Sequence, residues 1–173
     1  VIPVYNEENA ILDTIQEIDK IMKSTNIVFE ILVVNDGSTD KSRDLMVSNN
    51  RNFTLINHEV NRGYGASLKT GINASKYNII AITDADGTYP NGKIPELYSH
   101  IMDYNMVVGK RAFKKLPNIT KPAKWMITRL ANYLAGYKIP DINSGLRLFH
   151  KKDAVRFFNI ISDGFSFTTT ITL

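Results

Sequence analysis

The chain contains no cysteine, which excludes a disulfide framework and any thiolate metal site. Its three histidines are not at metal-ligand spacing from one another, so a bound metal is expected on oxygen ligands rather than in a zinc site. His58, His100 and His150 read as surface or packing residues. No apolar run approaches the length of a membrane span and no secretory leader is visible, which leaves a cytoplasmic domain as the expectation. There is no Gly-x-Gly-x-x-Gly after the first strand pattern and no Walker loop, which argues against a dinucleotide or P-loop site. Acidic residues are missing from Tyr104 to Pro140, a stretch that holds eight basic ones: Lys110, Arg111, Lys114, Lys115, Lys121, Lys124, Arg129 and Lys138. Such a stretch is either a solvated basic face or a surface that meets phosphates on a substrate, a lipid or a nucleic acid.

What is present is an ordinary globular composition, 43% hydrophobic and 22% charged with a net charge of +4, on a chain long enough for one proper core. The text opens at Val1-Ile2-Pro3-Val4, partway through a strand pattern, and stops at Leu173 without a closing signal. Residues 1–173 therefore read as a single domain cut at both ends. Strand and helix patterns alternate. After the Val1–Val4 remnant, Ile11, Ile15, Ile18 and Met22 recur at helical spacing. Phe29–Val34 reads as a strand, Phe53–Asn57 as another, Tyr64–Ser75 as a helix and Tyr77–Thr83 as a fourth strand. Lys93–Tyr104 reads as a helix, Met106–Gly109 and Leu146–Phe149 as strands, and Lys152–Phe158 as a short helix. Repeated alternation of this kind predicts an α/β fold, a mostly parallel central sheet with helices on both faces.

Three of the strand patterns end in polar clusters: Tyr5-Asn6-Glu7, Asn35-Asp36-Gly37-Ser38 and Asp84-Ala85-Asp86. In a parallel sheet such ends share one rim, where ligands of open α/β sheets collect. Asp84 and Asp86, two residues apart at that rim, can hold a hard divalent cation that takes its remaining ligands from water and a substrate diphosphate. The alternative is a solvated turn before Gly87. Asp36-Gly37-Ser38 is also a common turn and helix cap, and Asn61-Arg62-Gly63 reads as a positioning turn in which Gly63 supplies a positive φ.

Pro3-Val4-Tyr5-Asn6-Glu7, Val33-Val34-Asn35-Asp36-Gly37-Ser38-Thr39-Asp40, Asn61-Arg62-Gly63 and Asp84-Ala85-Asp86-Gly87 together resemble family 2 glycosyltransferases of the GT-A nucleotide-diphospho-sugar transferase fold. Val108-Gly109-Lys110-Arg111 and Asp141-Ile142-Asn143-Ser144-Gly145-Leu146-Arg147 are similar to the branch that holds dolichol-phosphate mannose synthases and bacterial polyprenyl-phosphate sugar transferases. The match runs in order from about Val1 to Phe149. By position, the resemblance implies that Pro3, Tyr5 and Glu7 line the nucleotide pocket, with Tyr5 against the base. It implies that Asp36 accepts hydrogen bonds from the base ring, that Asp84 sits near the ribose or the metal, and that Asp86 coordinates Mg²⁺ or Mn²⁺. Arg111 and Arg147 would contact phosphates of donor or acceptor, where a planar fork pairs bidentately; Arg147 has a structural ion pair as its alternative.

The implied reaction is an inverting displacement at the anomeric carbon, with a nucleoside diphosphate leaving. A hydroxyl acceptor needs a general base. The segment Asp163-Gly164-Phe165-Ser166-Phe167-Thr168-Thr169-Thr170 lacks the Glu-Asp pair that hydroxyl-accepting relatives place there, and has threonines where the lipid-phosphate branch often has a Glu. Asp141 and Asp163 are the remaining candidates for a base. A phosphate acceptor is already anionic and needs none. The expected acceptor is accordingly a polyprenyl (dolichyl-type) phosphate, met through the basic stretch and a helix over Ala123–Gly136 bearing Trp125, Met126, Ile127, Leu130 and Leu134 at a membrane surface. The same stripe packed against the sheet is the alternative. A membrane-associated enzyme of cell-wall or polysaccharide biosynthesis at the cytoplasmic face, with no nucleic-acid partner, is the resulting expectation. Transfer to a glycan hydroxyl, and a nucleotide-sugar binding domain without turnover, are the rival readings. The donor nucleotide, UDP or GDP, is left open with UDP favoured.

Overall fold

The computed structural model describes residues 1–49, 52–109 and 143–172, together with Arg129, Tyr133, Gly136 and Asp141. Three short parallel strands, β1 (Ile2–Val4), β2 (Leu32–Asp36) and β3 (Thr54–His58), lie side by side in the order β1-β2-β3. The central part of β2 is apolar toward both faces, as a doubly covered parallel sheet requires; Leu32, Val33 and Val34 are all buried. A second group contains β4 (Ile79–Ile82), β5 (Met106–Val108) and β6 (Arg147–His150) in the order β4-β6-β5. The Val1 nitrogen donates to the Ala81 carbonyl at 2.7 Å and the Thr83 N–H donates to the Val1 carbonyl at 3.3 Å. These two bonds flank Ile82 in the parallel pattern and join the groups into one surface, β3-β2-β1-β4-β6-β5.

Helices cover both faces. α1 (Ile11–Lys23) buries Ile11, Ile15, Ile18 and Met22, the stripe expected from their spacing, against Ile2, Val4 and Val33 on one face, where Met46 of α2 (Ser42–Ser48) joins them. On the other face, α3 (Tyr64–Ala74) packs Leu68 and Ile72 with Ile80, Ile82 and Phe149, with Ala154 of α5 (Lys151–Arg156) and Phe167 of α6 (Phe167–Thr170). A 3-10 turn (Asn91–Lys93) leads into α4 (Ile94–His100), which is shorter than its periodicity suggests.

Two departures from the sequence expectation matter for the site. β2 begins later and runs on through Asn35 and Asp36, because β3 pairs with it as far as Asp36 opposite His58. And β6 is antiparallel to both of its neighbours, with Arg147 opposite Ile82 and Val108. A reversed strand brings its entry, not its exit, to the rim where β4 ends. That inversion delivers Ser144 and Gly145 beside Asp84.

Candidate active site

The rim loops of β1 and β2 are stitched together by side chains that accept from backbone. Asn6 sits in the left-handed region at φ 58°, a conformation asparagine tolerates better than most residues. Its Oδ1 accepts from the Thr39 N–H at 2.8 Å and the Asp40 N–H at 3.3 Å. In return the Asn6 N–H donates to Ser38 Oγ (3.1 Å), the Glu7 N–H to Ser42 Oγ (2.8 Å) and the Glu8 N–H to Asp40 Oδ2 (3.1 Å). The loop after β1 is thereby held with half-exposed Tyr5 and Glu7 facing a cleft of about 810 Å³.

Asp36, at the end of β2, is 3% exposed. Its Oδ1 accepts from His58 Nδ1 at 2.7 Å and from the Arg62 N–H at 2.9 Å; Oδ2 accepts from the Gly63 N–H at 2.8 Å. Burial alone would push this carboxyl up, but the bonds from His58, Arg62 and Gly63, with the Ser67 hydroxyl nearby, hold it below the ordinary aspartate value. Ser67 Oγ itself is buried, with no partner in hydrogen-bond geometry. Gly63 has φ 100° and packs on the Asp163 carbonyl, so close that a Cβ would fall 2.6 Å from that oxygen; glycine is required there on both counts.

The third rim cluster follows β4. Tyr64, at the start of α3, donates its hydroxyl to Asp84 Oδ1 at 2.9 Å. Gly145 lies against the same carboxylate, where a Cβ would come within 2.6 Å of Oδ2. Its N–H donates to the buried Tyr89 hydroxyl at 2.7 Å. Asp86 is exposed, and its Oδ1 accepts from the Thr88 N–H (3.0 Å) and hydroxyl (2.8 Å), which fixes the carboxylate at the cleft. The carboxyl of Glu7 is pushed up, first by burial and then by the negative charges of Asp86, Asp40 and Asp84. Such mutual repulsion is relieved by a cation. The donor set, carboxylate oxygens on a loop fixed to α1 by the Thr14 hydroxyl on the Ala85 carbonyl (3.0 Å), fits a hard divalent ion. Among the described residues no three of His, Asp and Glu close into a complete cage, so such an ion here would complete its shell from water and a bound diphosphate.

Of the residues singled out in the sequence, Pro3, Tyr5, Glu7, Asp36, Asp84 and Asp86 line this one cleft. Arg147 is a correction. It is fully buried, and its guanidinium donates to the carbonyls of Ser144 (2.7 Å) and Thr168 (2.9 Å) and to Thr172 Oγ1 (2.5 Å). The antiparallel entry of β6 turns it inward, where it ties the Ser144-Gly145 turn to α6 instead of meeting a phosphate. Asp141 is half-buried and is not among the residues that line the cleft. Asp163 forms an ion pair with Lys69 at 2.7 Å, also outside the lining. Arg111, the other basic residues except Arg129, and the apolar stripe of Trp125, Met126, Ile127, Leu130 and Leu134 lie outside the described residues; Arg129 and Tyr133 are helical and exposed.

Reasoning on the sequence missed four contributors. His58 is a buried partner of Asp36 rather than a packing residue. Tyr64 and Tyr89 hold the Asp84 loop. Phe165, 86% exposed, stacks on Tyr64 with ring centroids 5.7 Å apart. The one available signal was positional: Asp36 and His58 end adjacent parallel strands, and Tyr64 follows the Asn61-Arg62-Gly63 turn directly.

The model of glycosyl transferase family 2 matches residues 1–158, and the chain belongs to that family. It is similar to a dolichyl-phosphate hexose transferase of Haloferax volcanii, 30% identical over 156 residues that cover 88% of this chain and 65% of that protein. An uncharacterized protein of Methanocaldococcus jannaschii is 29% identical over 159 residues, 86% of this chain and 63% of its own length. The chain thus spans just under two thirds of these relatives. Among solved structures, glucosyl-3-phosphoglycerate synthase from Mycobacterium tuberculosis, in complex with Mn²⁺, UDP-glucose and phosphoglyceric acid, superposes with a TM-score of 0.76 at 18% identity, over 99% of this chain and 61% of that one. The fold is GT-A.

Proposed function

We propose that this chain carries the catalytic domain of an inverting, divalent-metal-dependent glycosyltransferase that moves a sugar from a nucleoside-diphosphate sugar to a polyprenyl phosphate. The observation that carries the reading is the convergence of Glu7, Asp84 and Asp86 with Tyr5 and Asp36 in one cleft. Tyr5 offers a face for the base, and Asp36 an acceptor for its ring N–H. Asp84 and Asp86 would hold Mn²⁺ or Mg²⁺, which neutralises charge on the departing diphosphate. Tyr64 keeps Asp84 in place, and Thr88 does the same for Asp86.

Beside the exposed Phe165, Asn143 and Ser166 present an amide N–H and a hydroxyl to the cleft, Asn143 Oδ1 accepting from the Thr169 hydroxyl at 2.7 Å. These groups donate to an anionic acceptor without having to remove a proton from it. An acceptor phosphate oxygen then attacks the anomeric carbon, and the bond from that carbon to the diphosphate oxygen breaks with its electron pair. The named function of the Haloferax volcanii relative supports a lipid-phosphate acceptor, and the work would fall at the cytoplasmic face of a membrane. No helix among the described residues is long and apolar enough to cross one.

Two measurements test this. Calorimetric titration with UDP, GDP and their sugar conjugates, with and without Mn²⁺, should give metal-dependent binding that Asp86→Ala loses. Sugar transfer should then appear with polyprenyl phosphate. Transfer only to a soluble hydroxyl acceptor would overturn the lipid assignment and leave the donor half standing, and no nucleotide binding by folded protein would remove both.

A further inference from the structure

A carboxylate has about four acceptor positions, two on each oxygen. Among the described residues, three hydrogen bonds already fall on Asp36: His58 Nδ1 and the Arg62 N–H on Oδ1, and the Gly63 N–H on Oδ2. An ionised carboxylate only accepts, so His58 Nδ1 carries the hydrogen of their 2.7 Å bond. The ring is held from behind by Thr70 Oγ1, 3.0 Å from Nε2. Both side chains of the pair are buried, 5% and 4% exposed. Oδ1 is therefore full, and at most a single position on Oδ2 remains for anything entering the cleft, with the buried Ser67 hydroxyl beside the carboxylate.

That count bears on which base can bind. The Watson–Crick edge of uracil carries one N–H between two carbonyls, which needs a single acceptor. Guanine carries two adjacent donors, N1–H and the N2 amino group, which are satisfied together by both oxygens of a carboxylate. Asp36 as held here answers the first pattern and leaves one guanine donor buried without a partner, a costly outcome.

We propose that His58 is a specificity-determining positioning residue: by filling Oδ1 of Asp36 beside the Arg62 amide, it limits that carboxylate to one donor and selects a uracil-type base over guanine. The proposal rests on the reading that Asp36 meets the base of the donor. His58 touches no substrate; it acts through Asp36.

The test is a pair of substitutions that differ only in where a side-chain N–H stands. His58→Asn keeps a donor at the Nδ1 position, whereas His58→Gln moves it toward Nε2 and Thr70 and opens Oδ1. Dissociation constants for UDP, N3-methyl-UDP and GDP would be measured with Mn²⁺ on wild type and both variants, with melting temperatures alongside. Wild type should prefer UDP to GDP by about tenfold or more, the scale of one well-formed base contact, and should lose most of its affinity for N3-methyl-UDP. His58→Asn should keep the UDP:GDP ratio, and His58→Gln should reduce it about tenfold. A role in stability alone would shift melting temperature and leave that ratio untouched.

The proposal is overturned if wild type binds GDP as well as UDP, if N3-methyl-UDP binds like UDP, or if His58→Gln retains the wild-type ratio. Should His58→Gln fail to fold, a His58→Asn protein that has lost the preference overturns it equally. Absence of binding by either nucleotide to folded wild type is a different result, because it removes the donor reading beneath the proposal.

Discussion

Asp36 and Arg147 are both buried charges beside the same cleft, and the structure uses them in opposite ways. Asp36 takes its three hydrogen bonds from one turn and one neighbouring strand and keeps an oxygen on the cleft. Arg147 donates to carbonyls and a hydroxyl of two chain segments, among its contacts, and shows no surface. The half of the site built on the ends of β1, β2 and β4 is thus charged and ligand-facing in the proposed reading. The half built on the entry of β6 hides its charge and shows the cleft hydroxyls and an aromatic ring. A buried charge becomes a recognition group only where part of its hydrogen-bonding capacity is left unspent.

The largest effect is expected on the ligand-facing side. Asp86→Ala should weaken Mn²⁺-dependent nucleotide binding by about a hundredfold or more, beyond the 10–100-fold typical of an outer-shell partner, with folding by circular dichroism unchanged. Retained metal dependence would detach the metal from the β4 loop. Tyr64→Phe removes only the hydroxyl that holds Asp84, so its cost should be about tenfold in the same titration. Arg147→Met sharpens the contrast from the other side. It should lower urea stability, each carbonyl left unpaired costing about 1–3 kcal/mol, while the folded fraction binds nucleotide as before. A variant that is stable but has lost nucleotide affinity would give Arg147 back a ligand-facing role.

Acid should separate the two halves as well. The folded Asp36 carboxyl lies below its ordinary value of 3.8. Its stabilisation is complete above that value and lost as pH falls through the lower folded one, because the unfolded chain takes up the proton first. Acid unfolding of Asp36→Asn should accordingly show a shallower limb below pH 3.8. The smallest effect belongs to Glu7. Its raised pKa means that folding disfavours its ionised form, so Glu7→Gln should stabilise the metal-free protein near neutral pH by at most about 0.5 kcal/mol. It should also blunt the further rise in melting temperature on adding Mn²⁺.

The alternation of strands and helices, the α1 stripe and the three polar strand ends were legible because period and turn chemistry are local. Burial of Ile11, Ile15, Ile18 and Met22 follows from a 3.6-residue repeat wherever the helix packs. Motif residues that end parallel strands must share a rim, so Tyr5, Glu7, Asp36, Asp84 and Asp86 could be gathered before any coordinates. The reversal of β6 left no comparable mark, since an apolar run reads the same in either direction. Arg147 was consequently expected to contact a phosphate, with a structural ion pair as the alternative.

From its own residues and their order the chain settled its fold and its family and brought Tyr5, Glu7, Asp36, Asp84 and Asp86 to one rim, all of which depend on patterns repeated along the backbone. Tertiary structure alone decided that His58 and the Arg62 N–H fill one oxygen of Asp36, that Tyr64 bonds Asp84, and that Arg147 turns inward. The physical reason is that a side chain's partner is set by which strands become neighbours and in which direction they run, and neither is written in local spacing.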